Sequence, residues 1–187
     1  MRHSVARDGK AWSNAAEDRI ELVAPESAWA QQYEVEAAAL RLVIPLVSGL
    51  RIEHFGSTSI PDIRAKPIID IMIVHPQPAV WPPLVGIITA LSYVYWAENP
   101  RKDRMFFVKG MPPFSPRRTH HVHVRLPSDA IAELSFRDVL RAESAIAREY
   151  ERLKEELAGR HPHDRDDYTQ CKAEFVARVL ARKPSGT

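Results

Sequence analysis

The chain has 187 residues, a hydrophobic fraction of 45% and a net charge of +2 at pH 7, values that suit one globular domain with a sizeable core. So small an excess of charge gives no reason to expect a nucleic-acid partner, and a single cysteine, Cys171, excludes an internal disulfide and a four-cysteine zinc site. No apolar run approaches the roughly 18 residues of a membrane span, and the N-terminus lacks the apolar core of a signal peptide, so no membrane partner is expected and a cytoplasmic location is the default expectation.

The two ends of the chain differ from the rest. Residues 1–19 are polar and aperiodic, which predicts a flexible N-terminal arm, and residues 183–187 are predicted to form a flexible tail. The domain itself is expected over residues 20–182. Its first predicted element is a short strand over residues 20–24, where apolar and polar residues alternate briefly.

A helix is predicted next. Ser27 is a suitable N-cap, and Pro45 marks the end of the helix. Large apolar residues recur every three or four positions between them, which is the period of one helical face. The predicted buried face is Trp29, Tyr33, Ala37, Leu40 and Ile44.

Five strand-like stretches occupy the middle of the chain. They are residues 50–55, 67–74, 92–96, 104–109 and 119–126. A helix of about residues 79–91 separates the second stretch from the third. The short gap between the third and fourth stretches predicts an antiparallel pair, and residues 110–118 contain three prolines, so they are expected to form an irregular loop over the site.

The last third of the chain is predicted to be helical. A first helix starts at Ser128 or Asp129, a second covers about residues 144–159 with Gly159 at its end, and a third covers about residues 165–182. Charged residues on these helices are interpreted as a solvated face. The second helix has an apolar stripe, which comprises Ile146, Tyr150, Leu153 and Leu157.

One carboxylate stands among isoleucines in the second predicted strand. Asp70 lies within the run Pro-Ile-Ile-Asp-Ile-Met-Ile-Val, and burying a carboxylate is costly unless it is paired or binds a metal. A Gly56-Ser57 turn precedes this strand, and the N–H groups and hydroxyl of such a turn suit a phosphate. The pattern indicates a site for a nucleotide and a divalent cation. The alternative is a buried structural carboxylate paired with Lys66 or an arginine.

Five short strings in the chain, two of which contain the Gly56-Ser57 turn and Asp70, are specific enough to indicate a family. They are residues 52–58 (Ile-Glu-His-Phe-Gly-Ser-Thr), 66–71 (Lys-Pro-Ile-Ile-Asp-Ile), 118–124 (Arg-Thr-His-His-Val-His-Val), 136–140 (Phe-Arg-Asp-Val-Leu) and 168–175 (Tyr-Thr-Gln-Cys-Lys-Ala-Glu-Phe). Together they resemble the GrpB family, a branch of the nucleotidyltransferase superfamily. The resemblance covers roughly residues 20–182. It implies an α/β (α+β) fold with a mixed, mostly antiparallel sheet, flanking helices and a C-terminal helical cluster.

The same resemblance implies a metal site and exposes one departure from the superfamily pattern. The superfamily holds two metal ions with two carboxylates on one strand, the first of which is Asp70 here. The second falls at Met72, whose thioether does not bind Mg²⁺. Glu53 is the candidate substitute if it shares a face with Asp70. The expected cofactor is Mg²⁺ or Mn²⁺, with a nucleoside triphosphate as substrate.

Two histidines complete the candidate catalytic group of Asp70, His121 and His123. His121 and His123 are two positions apart on a predicted strand, so they share a face. They could act as a general base, donate to phosphate or bind a metal, and convergence with Asp70 or Glu53 would favour Zn²⁺, Ni²⁺ or Mn²⁺ over Mg²⁺. The candidate phosphate-binding residues are Gly56, Ser57, Thr58, Lys66 and Arg118.

The preferred function is transfer of a nucleotidyl group from a nucleoside triphosphate to a small molecule. One alternative is a diverged enzyme on the same fold, such as an acyl- or amide-forming ligase, because fold does not fix chemistry. The other is a non-catalytic module that binds a nucleotide or coenzyme A. Metal-dependent turnover would support nucleotidyl transfer, and metal-independent turnover would support the diverged enzyme. Binding without turnover would support the non-catalytic module. The sequence predicts neither the acceptor, the nucleotide base nor the oligomeric state.

Overall fold

A computed structural model describes residues 19–110 and 117–182 of the chain. Most of the predicted N-terminal arm, the predicted tail and residues 111–116 of the predicted loop lie outside these ranges, so those predictions and the domain boundaries remain untested. Within the described ranges, no helix is both long and apolar enough to cross a bilayer.

The centre of the fold is a five-stranded sheet in the order β1-β2-β5-β4-β3. Its strands are β1 Arg51–Phe55, β2 Ile69–Val74, β3 Tyr93–Tyr95, β4 Met105–Lys109 and β5 His120–Arg125. The central strands β2 and β5 run parallel, whereas the other three pairs are antiparallel. The mixed, mostly antiparallel sheet predicted from the sequence is confirmed, including the β3–β4 pair.

Helices cover both faces of this sheet. They are α1 Ala28–Val43, α2 Trp81–Thr89, α3 Pro127–Ala142, α4 Ser144–Arg160, α5 Arg165–Gln170 and α6 Ala173–Leu180. One face packs on α1 and α2 through Ile69, Ile71 and Ile73, and the predicted apolar stripe of α1 is buried there. The opposite face of β2 carries Met72 and packs on α3.

Near the N-terminus, the first predicted element differs from the structure, whereas the start of α1 agrees with it. The predicted strand over residues 20–24 is a single antiparallel bridge between Val23 and Ala65. The next hydrogen-bonded pairs on either side would include Pro25 and Pro67, which have no N–H to extend the ladder. Ser27 does occupy the N-cap of α1, but its side chain makes no capping hydrogen bond.

The C-terminal helices also differ in detail. Helix α3 begins at Pro127 rather than behind a Ser128 or Asp129 cap, because proline needs no N–H partner at the first helical position and its fixed backbone angle suits that position. Helix α4 extends one residue past Gly159. The third predicted helix is interrupted at residues 171–172 and forms α5 and α6.

A second apolar cluster joins α3, α4 and α6 to the segment after β1. Ile60 and Ile63 from that segment pack with Tyr150 and Phe175 from the helices. This packing holds the helical cluster against the Gly-Ser turn. It also buries Lys154, which is 1% exposed because it falls in the apolar stripe of α4, so Lys154 is an exception to the solvated face predicted from the charges on these helices.

Candidate functional site

The turn after β1 has a backbone that requires glycine. Gly56 has φ 70° and ψ −174°, a region that is essentially closed to residues with a side chain. A Cβ at this position would also lie 2.4 Å from Oδ2 of Asp70. The following residues form a short 3₁₀ turn, Ser57–Ser59, so the Gly-Ser turn and the carboxylate are in direct contact.

Helix α3 and the sheet hold this turn in place. Arg141 Nε donates to the Ser59 carbonyl oxygen at 2.9 Å. The Thr58 hydroxyl donates to the Ile68 carbonyl oxygen at 3.2 Å and accepts from His54 Nε2 at 3.1 Å. The hydroxyls of Thr58 and Ser59 are bonded to backbone carbonyl oxygens, whereas the hydroxyl of Ser57 is hydrogen-bonded to Tyr150, which also lines the cleft.

Asp70 and His121 form a hydrogen-bonded pair across the two parallel strands. The register places Asp70 of β2 opposite His121 of β5, so the two side chains share a face. Nδ1 of His121 lies 3.0 Å from Oδ1 of Asp70. A carboxylate oxygen accepts, so Nδ1–H of His121 donates, and the buried Nε2 of His121 has no partner among the described residues.

His123 is fixed from its other side by an arginine. Arg104 Nη1 lies 2.9 Å from Nδ1 of His123, and because a guanidinium only donates, Nδ1 accepts. A neutral imidazole has one N–H, so the proton of His123 sits on Nε2. That nitrogen faces Oδ1 of Asp70 at 4.0 Å.

Burial keeps these histidines neutral. Burial lowers the pKa of His121, and the hydrogen bond that His121 donates to Asp70 opposes the shift. Burial, followed by the charge of Arg104, lowers the pKa of His123 well below its usual range. Burial also lowers the pKa of Arg104 to about 10, so Arg104 still carries its charge at neutral pH.

A cleft of about 140 Å³ opens beside Asp70 and His121. Six of the residues predicted from the sequence line it, namely Gly56, Ser57, Thr58, Lys66, Asp70 and His121. The structure therefore brings the predicted turn, the predicted carboxylate and one predicted histidine to one place.

The other three predicted residues lie outside the lining. His123 Nε2 lies 4.0 Å from Asp70 Oδ1, and Arg118 is near enough to act electrostatically on His121. Glu53 does share the face of Asp70, as its pairing with Met72 shows. Its carboxylate, however, accepts from Arg137 Nη1 at 2.9 Å, so the structure does not bring Glu53 into the group around Asp70, and its metal role stays a prediction.

Besides Ile68, four lining residues were not predicted as site residues, and these four come from the C-terminal helical part of the chain. They are Tyr150, Lys154, Tyr168 and Lys172. One signal for Lys154 was present in the sequence, because it stands four positions after Tyr150 within the apolar stripe of α4. The signal for Tyr168 and Lys172 was the Tyr-Thr-Gln-Cys-Lys-Ala-Glu-Phe string, which carried the family resemblance.

A family model described as GrpB protein matches residues 19–182. The chain belongs to the GrpB family. The family prediction is therefore confirmed, while the wider nucleotidyltransferase placement that the resemblance implied stays a prediction.

Individual relatives and a solved structure agree with this family. The chain is 49% identical over 180 residues to a UPF0157 protein of Pseudomonas aeruginosa, covering 96% of this chain and 74% of that protein. It is 37% identical over 161 residues to the UPF0157 protein YqkA of Bacillus subtilis, covering 84% of this chain and 45% of that protein, so it spans less than half of that relative. The crystal structure of conserved protein GrpB from Enterococcus faecalis superimposes with a TM-score of 0.72 at 34% identity, covering 85% of this chain and 94% of that one.

The fit of this GrpB site to metal ions is limited by its donor set. Ligand atoms of Asp70, His121 and His123 lie within 4.8 Å of one another. Two features oppose a three-ligand centre: Arg104 holds the proton of His123 on the nitrogen that would face the metal, and Nδ1–H of His121 is already donated to Asp70. The pair of metal ions that the superfamily resemblance implied does not fit either. The position of the second carboxylate is Met72, which is fully buried against α3. One hard oxygen donor remains, the carboxylate of Asp70.

Arg104→Met is expected to make the GrpB site a better zinc site. Removing the guanidinium lets the His123 proton move to Nδ1, which frees Nε2 for a metal and removes a nearby positive charge. We expect calorimetric titration to show Zn²⁺ binding at least about tenfold tighter than to the wild type.

Arg101→Met is the matched control for this change. Arg101 lies on the same loop, has a side chain that is 54% exposed, and makes no hydrogen bond to His123. The Arg101→Met substitution removes the same charge and should alter the Zn²⁺ affinity much less than Arg104→Met does. Tight Zn²⁺ binding by the wild type, unchanged in Arg104→Met, would contradict the assignment of the His123 proton.

Proposed function

We propose that this GrpB-family chain binds a nucleoside triphosphate in the cleft and transfers its nucleotidyl group to a small-molecule acceptor. The observation that carries the proposal is the Asp70–His121 pair, held at 3.0 Å, beside a glycine turn in a cleft with three lysines. Cations and turn N–H groups suit phosphates, and the pair suits proton transfer. These are the two requirements of nucleotidyl transfer.

The chemistry needs one proton acceptor and one leaving group. The acceptor hydroxyl attacks the α-phosphorus, the bond from that phosphorus to the bridging oxygen breaks, and pyrophosphate leaves with the bonding electrons. The proton of the hydroxyl goes to the Asp70–His121 pair. Lys66 at the cleft and Arg118 near it offset the negative charge that develops on the phosphates.

His123 has a supporting role in this scheme. Its proton lies on Nε2, toward Asp70, because Arg104 occupies Nδ1. An N–H directed at a carboxylate favours the charged form of that carboxylate. His123 therefore helps to keep Asp70 ionised as the hydrogen-bond partner of His121, and Ser57 offers its hydroxyl to the bound phosphate.

A divalent cation, Mg²⁺ or Mn²⁺, is proposed to enter together with the nucleotide. Asp70 would hold it with the phosphate oxygens, and it would supply further neutralisation of phosphate charge. Since the lining of the cleft otherwise carries cations, calorimetric titration should show weak Mg²⁺ binding to the protein alone and tighter binding with ATP present. Tight Mg²⁺ binding without nucleotide would contradict this proposal.

The function is tested by pyrophosphate release. The protein is incubated with each of the four nucleoside triphosphates, labelled at the α-phosphate, and a small-molecule extract of bacterial cells. The expected result is released pyrophosphate together with a labelled product, both dependent on protein and extract. Nucleotide binding without pyrophosphate release would support a non-catalytic binding module instead of an enzyme. Absence of nucleotide binding would overturn the proposal altogether.

A further inference from the structure

Two lysines from the C-terminal helices reach the cleft, each against a tyrosine ring. Lys154 of α4 is 1% exposed and lies 5.1 Å from the ring centre of Tyr150. Lys172, at the break between α5 and α6, is partly buried and lies 4.3 Å from the ring centre of Tyr168. All four residues line the cleft that Asp70 lines.

The positive charge of this lysine pair is not balanced inside the cleft. Lys154 Nζ donates to the Arg64 carbonyl oxygen, a neutral acceptor. Lys172 has no hydrogen-bond acceptor and no ion-pair partner among the residues that the structure describes. With Lys66, the described lining holds three lysines and one carboxylate, Asp70.

The ionisation of the two lysines reflects the same imbalance. Burial lowers the pKa of Lys154 to about 7, with the charge of Lys172 adding to the effect and Glu151 and Glu155 opposing it. Burial lowers the pKa of Lys172 to about 8, and Asp70 opposes that shift. Buried cations whose counter-charges do not offset burial cost folding free energy, and an anionic ligand that bound between them would reduce this cost.

We propose that Lys154 and Lys172 form an oligophosphate subsite that binds two linked phosphate groups. If the proposed function is correct, these are the β- and γ-phosphates of the nucleotide, and this step alone rests on that function. The subsite then directs the α-phosphate toward Asp70 and retains pyrophosphate after the transfer. Lys66 is also close by, at 5.0 Å from the ring centre of Tyr168. A group of lysines suits a ligand with several linked negative charges better than a ligand with a single carboxylate.

Lys172→Met tests the subsite with inorganic pyrophosphate as the probe. Met keeps the length and the apolar stem of the side chain but removes its charge. Calorimetric titration at pH 7 should show pyrophosphate binding weakened by at least tenfold, orthophosphate binding weaker than pyrophosphate binding in the wild type, and Lys172→Arg retaining most of the wild-type affinity. Lys102→Met is the control, because Lys102 is an exposed lysine outside the cleft.

The same variant has an expected effect on stability that depends on pH. The pKa of Lys172 is about 8 in the folded protein and 10.5 without the fold, so the cost of its buried charge is fully present below about pH 8 and disappears as pH rises to 10.5. Lys172→Met should therefore melt at a higher temperature than the wild type below pH 8, and this gain should shrink toward pH 10.5. The ionisable groups that line the cleft with Lys172 are Lys66, Asp70, His121, Tyr150, Lys154 and Tyr168.

The outcomes separate this proposal from the proposed function. Unchanged pyrophosphate affinity in Lys172→Met, or an equal loss in Lys102→Met, would overturn the subsite even if nucleotidyl transfer is found. Pyrophosphate binding that requires Lys172, in a protein without transferase activity, would support the subsite. It would also indicate that the chain is a non-catalytic binding module.

Discussion

Gly56→Ala is expected to lose nucleotide binding together with a large part of the folding stability. The backbone angles of Gly56 belong to a region that costs other residues on the order of 1–3 kcal/mol. In addition, the new methyl group would lie 2.4 Å from Oδ2 of Asp70, so either the turn or the carboxylate must move. Chemical denaturation measures the first effect and calorimetric titration with ATP measures the second.

Gly86→Ala is the matched control for this substitution. Gly86 lies in α2, and a Cβ there would have no neighbour within 4 Å. Alanine should stabilise that helix by about 0.5–1 kcal/mol relative to glycine and leave nucleotide binding unchanged. Wild-type stability and affinity in Gly56→Ala, or the same behaviour in both variants, would contradict the role assigned to this turn.

Asp70→Asn should abolish most of the transfer activity while keeping the fold. The amide oxygen can still accept from Nδ1–H of His121, so we expect the free energy of unfolding to change by no more than about 1.5 kcal/mol. Asparagine cannot take a proton, and loss of a general base costs on the order of 10²–10⁴ in rate. The pyrophosphate-release assay and a denaturant titration measure the two quantities on the same sample.

The two readouts of Asp70→Asn also decide whether Asp70 is structural. A large loss of stability with unchanged activity per folded molecule would show that the carboxylate serves the fold through His121. A strong loss of activity with wild-type melting behaviour supports the catalytic role. NMR of the imidazole nitrogens should also show that His121 prefers the Nδ1–H form in the wild type and loses part of that preference in the variant.

The sheet and one half of the site followed from local sequence patterns. Alternation and apolar runs predicted the strands, and a carboxylate inside one of them, Asp70, could be recognised as costly without knowledge of its neighbours. His121 and His123 were placed on one face by their spacing alone. The Gly56 turn was indicated by its position before the strand, and these features meet because β2 and β5 are paired in parallel.

The other half of the site depends on contacts between residues far apart in the chain. Lys154 falls in the apolar stripe of α4, but what covers that stripe depends on the packing of α4 on the segment after β1, which no local pattern predicts. Arg104 determines where the proton of His123 sits, but the two residues are 19 positions apart, and no local pattern predicts that contact. Glu53 seemed available for a metal until α3 placed Arg137 against it.

The most direct test of the central claim is a crystal structure with a nucleotide that cannot react. Crystals of the wild-type protein soaked with α,β-methylene ATP should show the triphosphate in the cleft, with the α-phosphate next to Asp70 and Ser57 and the outer phosphates next to Lys154 and Lys172. Nucleotide bound elsewhere on the protein while the cleft contains solvent, or no bound nucleotide at millimolar concentrations, would contradict the account.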